Sequence, residues 1–342
     1  LIIYTMNVNK KQLQEALEIV KPGLANKEII EQATSFAFLN GRVMTYNDEI
    51  SISQPLEGLK INGAIEADKL YKFLSKVKKD DVDVEIKDNE LLLVSGRAKA
   101  GLTLMSEVKL PLEEVSKIGK WHDLPKEFVR LMKFAMTSCS TNMSKPVLTC
   151  VNVTKDGLIF ASDNYRLIQC DLKEEMPTKE LLIPASSVME MVKTEPTQIA
   201  EGNGWIHFKN ERDTIFSCRV LDDKYPSIGA YLKVEGIQIN LPKTITEVLD
   251  RAAVFAKREH MLDEWIKLSA ENNRLKVRSE ANIGWFEEEV NMKFDHEKVE
   301  FSVTPYLLRE IISETLSFTL GDDRNRIKFE GDGWIYVSLL RK

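Results

Sequence analysis

The sequence predicts an α+β fold built from three similar domains, each with two helices packed on antiparallel sheets, and six internal repeats in all. Three observations predict it. An amphipathic helical pattern recurs six times, its spacing is nearly constant, and each occurrence is followed by alternating or apolar runs broken by turn pairs. The clearest occurrence is Asp68–Lys79, where Leu70, Phe73, Leu74 and Val77 fall at i, i+3, i+4 and i+7 and make one apolar stripe. Lys69, Lys72, Lys76 and Lys79 fall on the opposite arc. The template returns at Leu13/Ala16/Leu17/Val20, Phe128/Leu131/Met132/Ala135 and Ile245/Val248/Leu249/Ala252, and in shorter form at Val188/Met191/Val192 and Leu308/Ile311/Ile312. First positions are 57, 58, 60, 57 and 63 residues apart, the signature of an internal repeat.

Taken in order, the first helix leads to SFAFLNGRVMTY at 35–46, with Asn40-Gly41 as a two-residue hairpin signal. The second leads to a strand-rich run at 81–105, and 110–125, which lacks periodicity, serves as a linker. The third helix leads to 146–172, turning at Asp156-Gly157, and 222–236 is the second linker. Six repeats taken in pairs over 342 residues give domains at 1–119, 120–233 and 234–342. EGNGWI at 201–206 and EGDGWI at 330–335 differ at one position and read as a second sign of duplication. A glycine-rich phosphate loop is the alternative, but a strand rather than a helix N-terminus follows each.

Apolar content of 43% suffices for ordinary cores. No apolar run approaches the roughly 20 residues of a membrane span, and Leu1–Tyr4 is too short for a signal-peptide core. Cys139, Cys150, Cys170 and Cys218 are scattered without a CxxC pair, which favours buried free thiols and a cytoplasmic setting over zinc or disulfides. His122, His207, His260 and His296 show no metal-ligand spacing and read as surface or linker residues. Asp80/Asp81, Asp222/Asp223 and Asp322/Asp323 fit turns, and Glu287–Glu289 an edge guard. No catalytic, metal or cofactor set assembles, so the chain reads as a non-enzyme.

Charge carries the functional signal. The net charge is −6, yet the six helical windows together carry +8 and the remainder −14. At 100° per residue, Lys243, Arg251, Lys257 and Arg258 project opposite the apolar stripe of the fifth helix, as Lys126, Arg130 and Lys133 do in the third. Cationic free faces in an otherwise acidic chain suit a polyanion. No Asn/Gln/Arg row for groove readout and no aromatic platform accompanies them. Contact with DNA should therefore reach phosphates alone, without sequence specificity and with strong salt dependence.

At PVLTCVNVTKDGLIFASDNYRLIQCDL the chain resembles the bacterial-type DNA sliding clamp, the β subunit of DNA polymerase III. Pro146–Leu148, Ala161–Leu167, Leu182–Pro184, Asp223–Pro226, Asp250–Ala253 and Val303–Tyr306 carry the likeness in order. It is clear in the second and third units and faint in the first.

The resemblance implies the DNA clamp fold and a homodimeric ring that encircles double-stranded DNA. Such a ring is a processivity factor that tethers DNA polymerase and other replication and repair proteins, and a clamp loader opens it. Lys27 and Asn142 match family loop positions near DNA. By matching segments, a partner-peptide pocket would use Leu148, Ser162, Asn164, Tyr165 and Leu167. Pro226, Tyr231, Tyr306, Tyr336 and Ser338 complete it. Tyr165 stands where the family usually has His, and Ser338–Lys342 replaces its usual apolar-Pro-apolar-Arg ending. For the ring seam, Leu102 and Leu104 match one side and Val254 and Phe255 the other. The competing reading is a non-enzymatic repeat scaffold that binds proteins only, its helix lysines merely solvated. A metal-dependent hydrolase or nuclease is a third, against which the missing motif counts.

Overall fold

A computed structural model describes residues 4–282 and 284–341. Leu1–Ile3, Ile283 and Lys342 lie outside the described residues, and with them part of the Leu1–Tyr4 and Ser338–Lys342 readings.

Each of the six repeats is one strand, one helix and three strands. The first holds β1 (Tyr4–Asn9), α1 (Lys10–Val20), β2 (Ser35–Leu39), β3 (Arg42–Tyr46) and β4 (Ile50–Pro55). The second holds β5 (Gly63–Glu66), α2 (Ala67–Lys76), β6 (Asp81–Lys87), β7 (Glu90–Ser95) and β8 (Ala98–Thr103). The third holds β9 (His122–Asp123), α3 (Phe128–Ala135), β10 (Cys150–Val153), β11 (Leu158–Ser162) and β12 (Arg166–Asp171). The fourth holds β13 (Leu181–Pro184), α4 (Ala185–Met191), β14 (Gln198–Glu201), β15 (Trp205–Lys209) and β16 (Ile215–Arg219). The fifth holds β17 (Gly236–Asn240), α5 (Ile245–Ala256), β18 (Ile266–Glu271), β19 (Arg274–Ala281) and β20 (Gly284–Asn291). The sixth holds β21 (Val299–Val303), α6 (Pro305–Arg309), β22 (Ser317–Gly321), β23 (Arg326–Gly331) and β24 (Trp334–Leu339).

The helices form where the apolar spacing places them. In α1, Leu13, Ala16, Leu17 and Val20 are all buried, and Asn9 caps the start by accepting from the Gln12 N–H at 3.1 Å. Burying each leucine contributes roughly 1.5–3 kcal/mol. Ile245, Val248, Leu249 and Ala252 of α5 are likewise buried. The second helix corrects its expected length: α2 stops at Lys76, and Val77 turns extended, so Val77 and Lys79 lie beyond it.

Contacts divide the chain into two compact bodies, residues 1–130 with 176–222, and 131–175 with 223–342. In the first, β1-β6-β7-β8 form a short sheet and β5-β2-β3-β4-β16-β15-β14-β9 a long one. In the second, the long sheet runs β10-β11-β12-β24-β23-β22-β17 and the short one β20-β19-β18-β21. One rule governs both bodies. In each long sheet the closing strands of two repeats meet, β4 on β16 with Ile52 opposite Phe216, and β12 on β24 with Arg166 opposite Ser338. In each short sheet the closing strand, β8 or β20, ends the sheet as an edge.

The order of strands overturns one sign of duplication. Asn203-Gly204 turns the first hairpin after α4, whereas Asp332-Gly333 turns the second hairpin after α6. The two motifs occupy non-equivalent hairpins. Their likeness follows from shared turn chemistry, with Gly204 at φ 74° and Gly333 at φ 75°.

Candidate peptide cleft and candidate nucleic-acid faces

The second body carries a cleft of about 700 Å³. Its shape begins with the Ser162–Arg166 turn. Asp163 Oδ1 accepts from the backbone N–H groups of Tyr165 at 3.0 Å and Arg166 at 2.9 Å, and Ser162 Oγ donates to the Arg166 carbonyl at 2.8 Å. This Asx-type turn puts Asn164 at φ 73° and leaves Tyr165 44% exposed at the rim. One wall is the 3₁₀ turn Pro146–Thr149, the other the linker around Pro226–Tyr231. Leu148, Leu167 and Val337 make an apolar floor.

Leu148, Ser162, Asn164, Tyr165 and Leu167 line the cleft, as do Pro226 and Tyr231. Tyr336 and Ser338 do not, and the cause is strand parity. Successive side chains of a strand point to opposite faces. Val337 and Leu339 of β24 therefore face the cleft, while Tyr336 is buried with its hydroxyl donating to the Leu307 carbonyl at 2.7 Å, and Ser338 is fully buried. Tyr306 is also absent from the lining; the Arg166 guanidinium lies over its ring, 5.1 Å from the centroid. Val337, Leu339, Val147 and Ile228 line the cleft outside the expected set; the alternation of β24 signals the first two, and Val147 and Ile228 lie in a turn and a linker with no such period.

Arg166 lies beneath this site. Its side chain is 8% exposed and pairs with Asp163 at 3.1 Å and Glu310 at 3.3 Å, and it donates to the Thr137 carbonyl. Burial pushes the Tyr306 hydroxyl up to about 12.

The expected cations fall into two groups. Lys72 pairs with Asp68 at 2.8 Å, Lys69 approaches Glu66 at 4.0 Å, Arg130 pairs with Glu127, and Arg251 pairs with Glu288 at 2.8 Å. Arg258 spends its guanidinium on the Ala256, Lys257 and Glu280 carbonyls. Lys27, Lys76, Lys79, Lys126, Lys133 and Lys257 are exposed and make no ion pair among the described residues. Lys126 sits in the turn before α3, Lys257 just past α5, and Lys27 in the loop before β2. Asn142 closes a small turn, its Oδ1 accepting from the Ser144 N–H at 2.9 Å.

Of the expected seam residues, Val254 is 67% exposed, Phe255 stacks on Phe286 with centroids 6.1 Å apart, and Leu102 is half-buried on β8. Leu104 is the exception: at 4% exposure it is packed into the first body against Gly63, so it offers little to a neighbouring edge. The glutamate run lies on the edge strand β20. There Glu287 pairs with Lys276 and Arg278, Glu289 with Arg274, and Glu288 with Arg251.

The four cysteines are free and buried, and burial pushes the Cys150 thiol up to about 11. His207 corrects its reading as a surface or linker residue. It is wholly buried on β15, Nδ1 sits 2.8 Å from Ser217 Oγ, and burial pulls its pKa down to about 4. Among the described residues no group of three or more His, Cys, Asp or Glu side chains could hold a metal, and no helix is long and apolar enough to cross a membrane.

Comparison with known proteins bears on the whole chain. Residues 124–227 match the family described as DNA polymerase III beta subunit, central domain. No curated protein matches. Among solved structures, the DNA polymerase sliding clamp of Bacillus subtilis is 18% identical with a TM-score of 0.82, covering 99% of each chain. The griselimycin-bound DnaN sliding clamp (DNA polymerase III subunit beta) of Bartonella birtlesii is 17% identical with a TM-score of 0.84, covering 100% of each. The DNA polymerase III beta subunit of Thermotoga maritima is 17% identical with a TM-score of 0.78, again covering 100% of each. The resemblance read from the sequence therefore holds: the chain has the DNA clamp fold from end to end, and its middle third matches the central domain of the DNA polymerase III beta subunit.

Proposed function

We propose that the chain is a DNA polymerase processivity factor, a sliding clamp without catalysis of its own. Two copies close head to tail into a ring around duplex DNA, each copy contributing domains 1–119, 120–233 and 234–342. The observation that carries the reading is the pair of free closing edges, β8 and β20. Within the chain, closing strands otherwise meet a second closing strand. Pairing β8 of one copy with β20 of the next would build, at each of the two seams, a further long sheet of the same order and remove exposed edges that invite aggregation. Such a head-to-tail contact must close, or it makes filaments.

In the ring, Lys76, Lys79, Lys126, Lys133, Lys257 and Lys27 attract phosphates directly. Lys69, Lys72, Arg130, Arg251 and Arg258 are already engaged and contribute less, and Asn142 presents a polar loop. Topological linkage replaces affinity, so weak, salt-sensitive contact suffices for sliding. The cleft beside Tyr165 docks short peptide segments of the polymerase, the clamp loader and other partners. The test is retention after loader-driven assembly. The protein should remain on closed circular DNA and run off once the circle is cut; equal retention on both overturns the reading. Solution mass near micromolar concentration should be twice that of one chain.

A further inference from the structure

The walls of the cleft carry a charge pattern of their own. Lys145 heads the wall formed by Pro146–Thr149, and Lys224 heads the one that runs through Pro226 to Tyr231. Both are exposed and neither has an ion pair among the described residues. Among the described residues no carboxylate joins the lining. The two arginines at the cleft are spoken for: Arg326 is bound by Asp323 at 3.1 Å, and Arg166 by Asp163 and Glu310. An apolar floor with two free ammonium groups at its lips is therefore set in a chain whose net charge is −6.

We propose that the cleft takes an acidic linear peptide, an apolar anchor flanked on both sides by carboxylates. The anchor meets Leu148, Leu167 and the tyrosine rims, and Lys145 and Lys224 each receive a flanking carboxylate. This rests on the peptide-docking reading of the cleft and adds the charge of the partner to it. The lysines are solvated, so their contribution is modest and screened by salt. It acts on choice between partners more than on total affinity.

Fluorescently labelled peptides with a short apolar core, identical but for flanking Asp, Asn or Lys, test this by anisotropy titration against the full-length chain. At low salt the Asp-flanked peptide should bind about five- to tenfold tighter than the Asn-flanked one, and the Lys-flanked one weaker still. High salt should erase the difference. In the Lys145→Gln/Lys224→Gln variant the Asp and Asn peptides should bind alike, at the affinity of the wild type for the Asn peptide. Equal binding of both by the wild type, still weakened by Tyr231→Ala, overturns the charge preference and leaves the docking site standing. An Asp preference that survives in the double variant overturns the assignment to these lysines. Failure of every peptide to bind removes the docking reading and this inference together.

Discussion

The two long sheets are built to one plan, yet the linker lying over each treats its surface differently. In the first body, Leu110, Leu112 and Val115 of the linker drop onto Ala33, Ala37, Tyr46 and Trp205 to make a closed apolar cluster. Gln32 pins that linker from inside, its amide donating to the Glu107 carbonyl and accepting from the Lys109 N–H, both at 2.8 Å. Arg219 covers the cluster, 4.7 Å over the Trp205 ring and bound to Asp48 at 2.7 Å. A space of about 350 Å³ remains. In the second body Leu232 and Val234 of the linker join Leu167 and Val337, Ile228 packs against them half-buried, and the opening is about 700 Å³. One linker closes its core almost completely; the other packs Leu232 and Val234 at one end and leaves a cleft beside them.

The largest effect should come from opening the closed side. Trp205 is 2% exposed, and Trp205→Ala should cost about 3–5 kcal/mol in urea unfolding by leaving a cavity. A loss near 1 kcal/mol would mean the linker collapses into the gap and the two sides are less different than they look. On the open side the support is polar. Arg166→Met strands the Asp163 carboxylate and the Thr137 carbonyl, so stability should fall by about 3 kcal/mol and the cleft turn should loosen. Peptide affinity should fall with it.

This contrast was only partly written in the sequence. Helix stripes are local, and Leu13, Ala16, Leu17 and Val20 declared themselves through 3.6-residue spacing. Hairpin turns did the same, with Asn40 and Gly41 both at positive φ. Which strand meets which was hidden, because β4 and β16, or β12 and β24, come from chain segments more than 150 residues apart and carry no local signal. The division of contacts into two compact bodies follows from those distant joins. Matching segments also could not supply parity in β24, where a one-residue choice separates the cleft-facing Val337 from the buried Tyr336.

His207 lets pH act on the closed body alone. Its folded pKa is about 4 against 6.5 for the free side chain, because burial disfavours the imidazolium. Between those values the unfolded chain takes up a proton that the folded one refuses. Stability should therefore fall by about 3 kcal/mol as pH drops from 6.5 to 4, and this contribution should level off below 4. His207→Leu should flatten that slope in urea titrations read at successive pH values. An unchanged slope would assign the acid sensitivity to carboxylates such as Asp48, whose pKa the Arg219 partner holds below its usual value.

The smallest expected change in stability is the most telling about the cleft. Tyr231 is 59% exposed at the rim and is not part of the Leu167–Leu232–Val234–Val337 cluster. Tyr231→Ala should shift the unfolding free energy by less than about 0.5 kcal/mol. An aromatic rim that closes over a bound anchor is instead worth about 1–2 kcal/mol of affinity, so peptide binding should weaken about tenfold. A residue that holds the fold loses stability and binding together, whereas a residue kept for a partner loses binding alone. Trp205 and Tyr231 are large aromatics beside equivalent linkers, and measuring both quantities for both variants separates the two roles. If Tyr231→Ala destabilised the chain as Trp205→Ala does, the rim would belong to the core and the cleft would be a packing defect rather than a docking site.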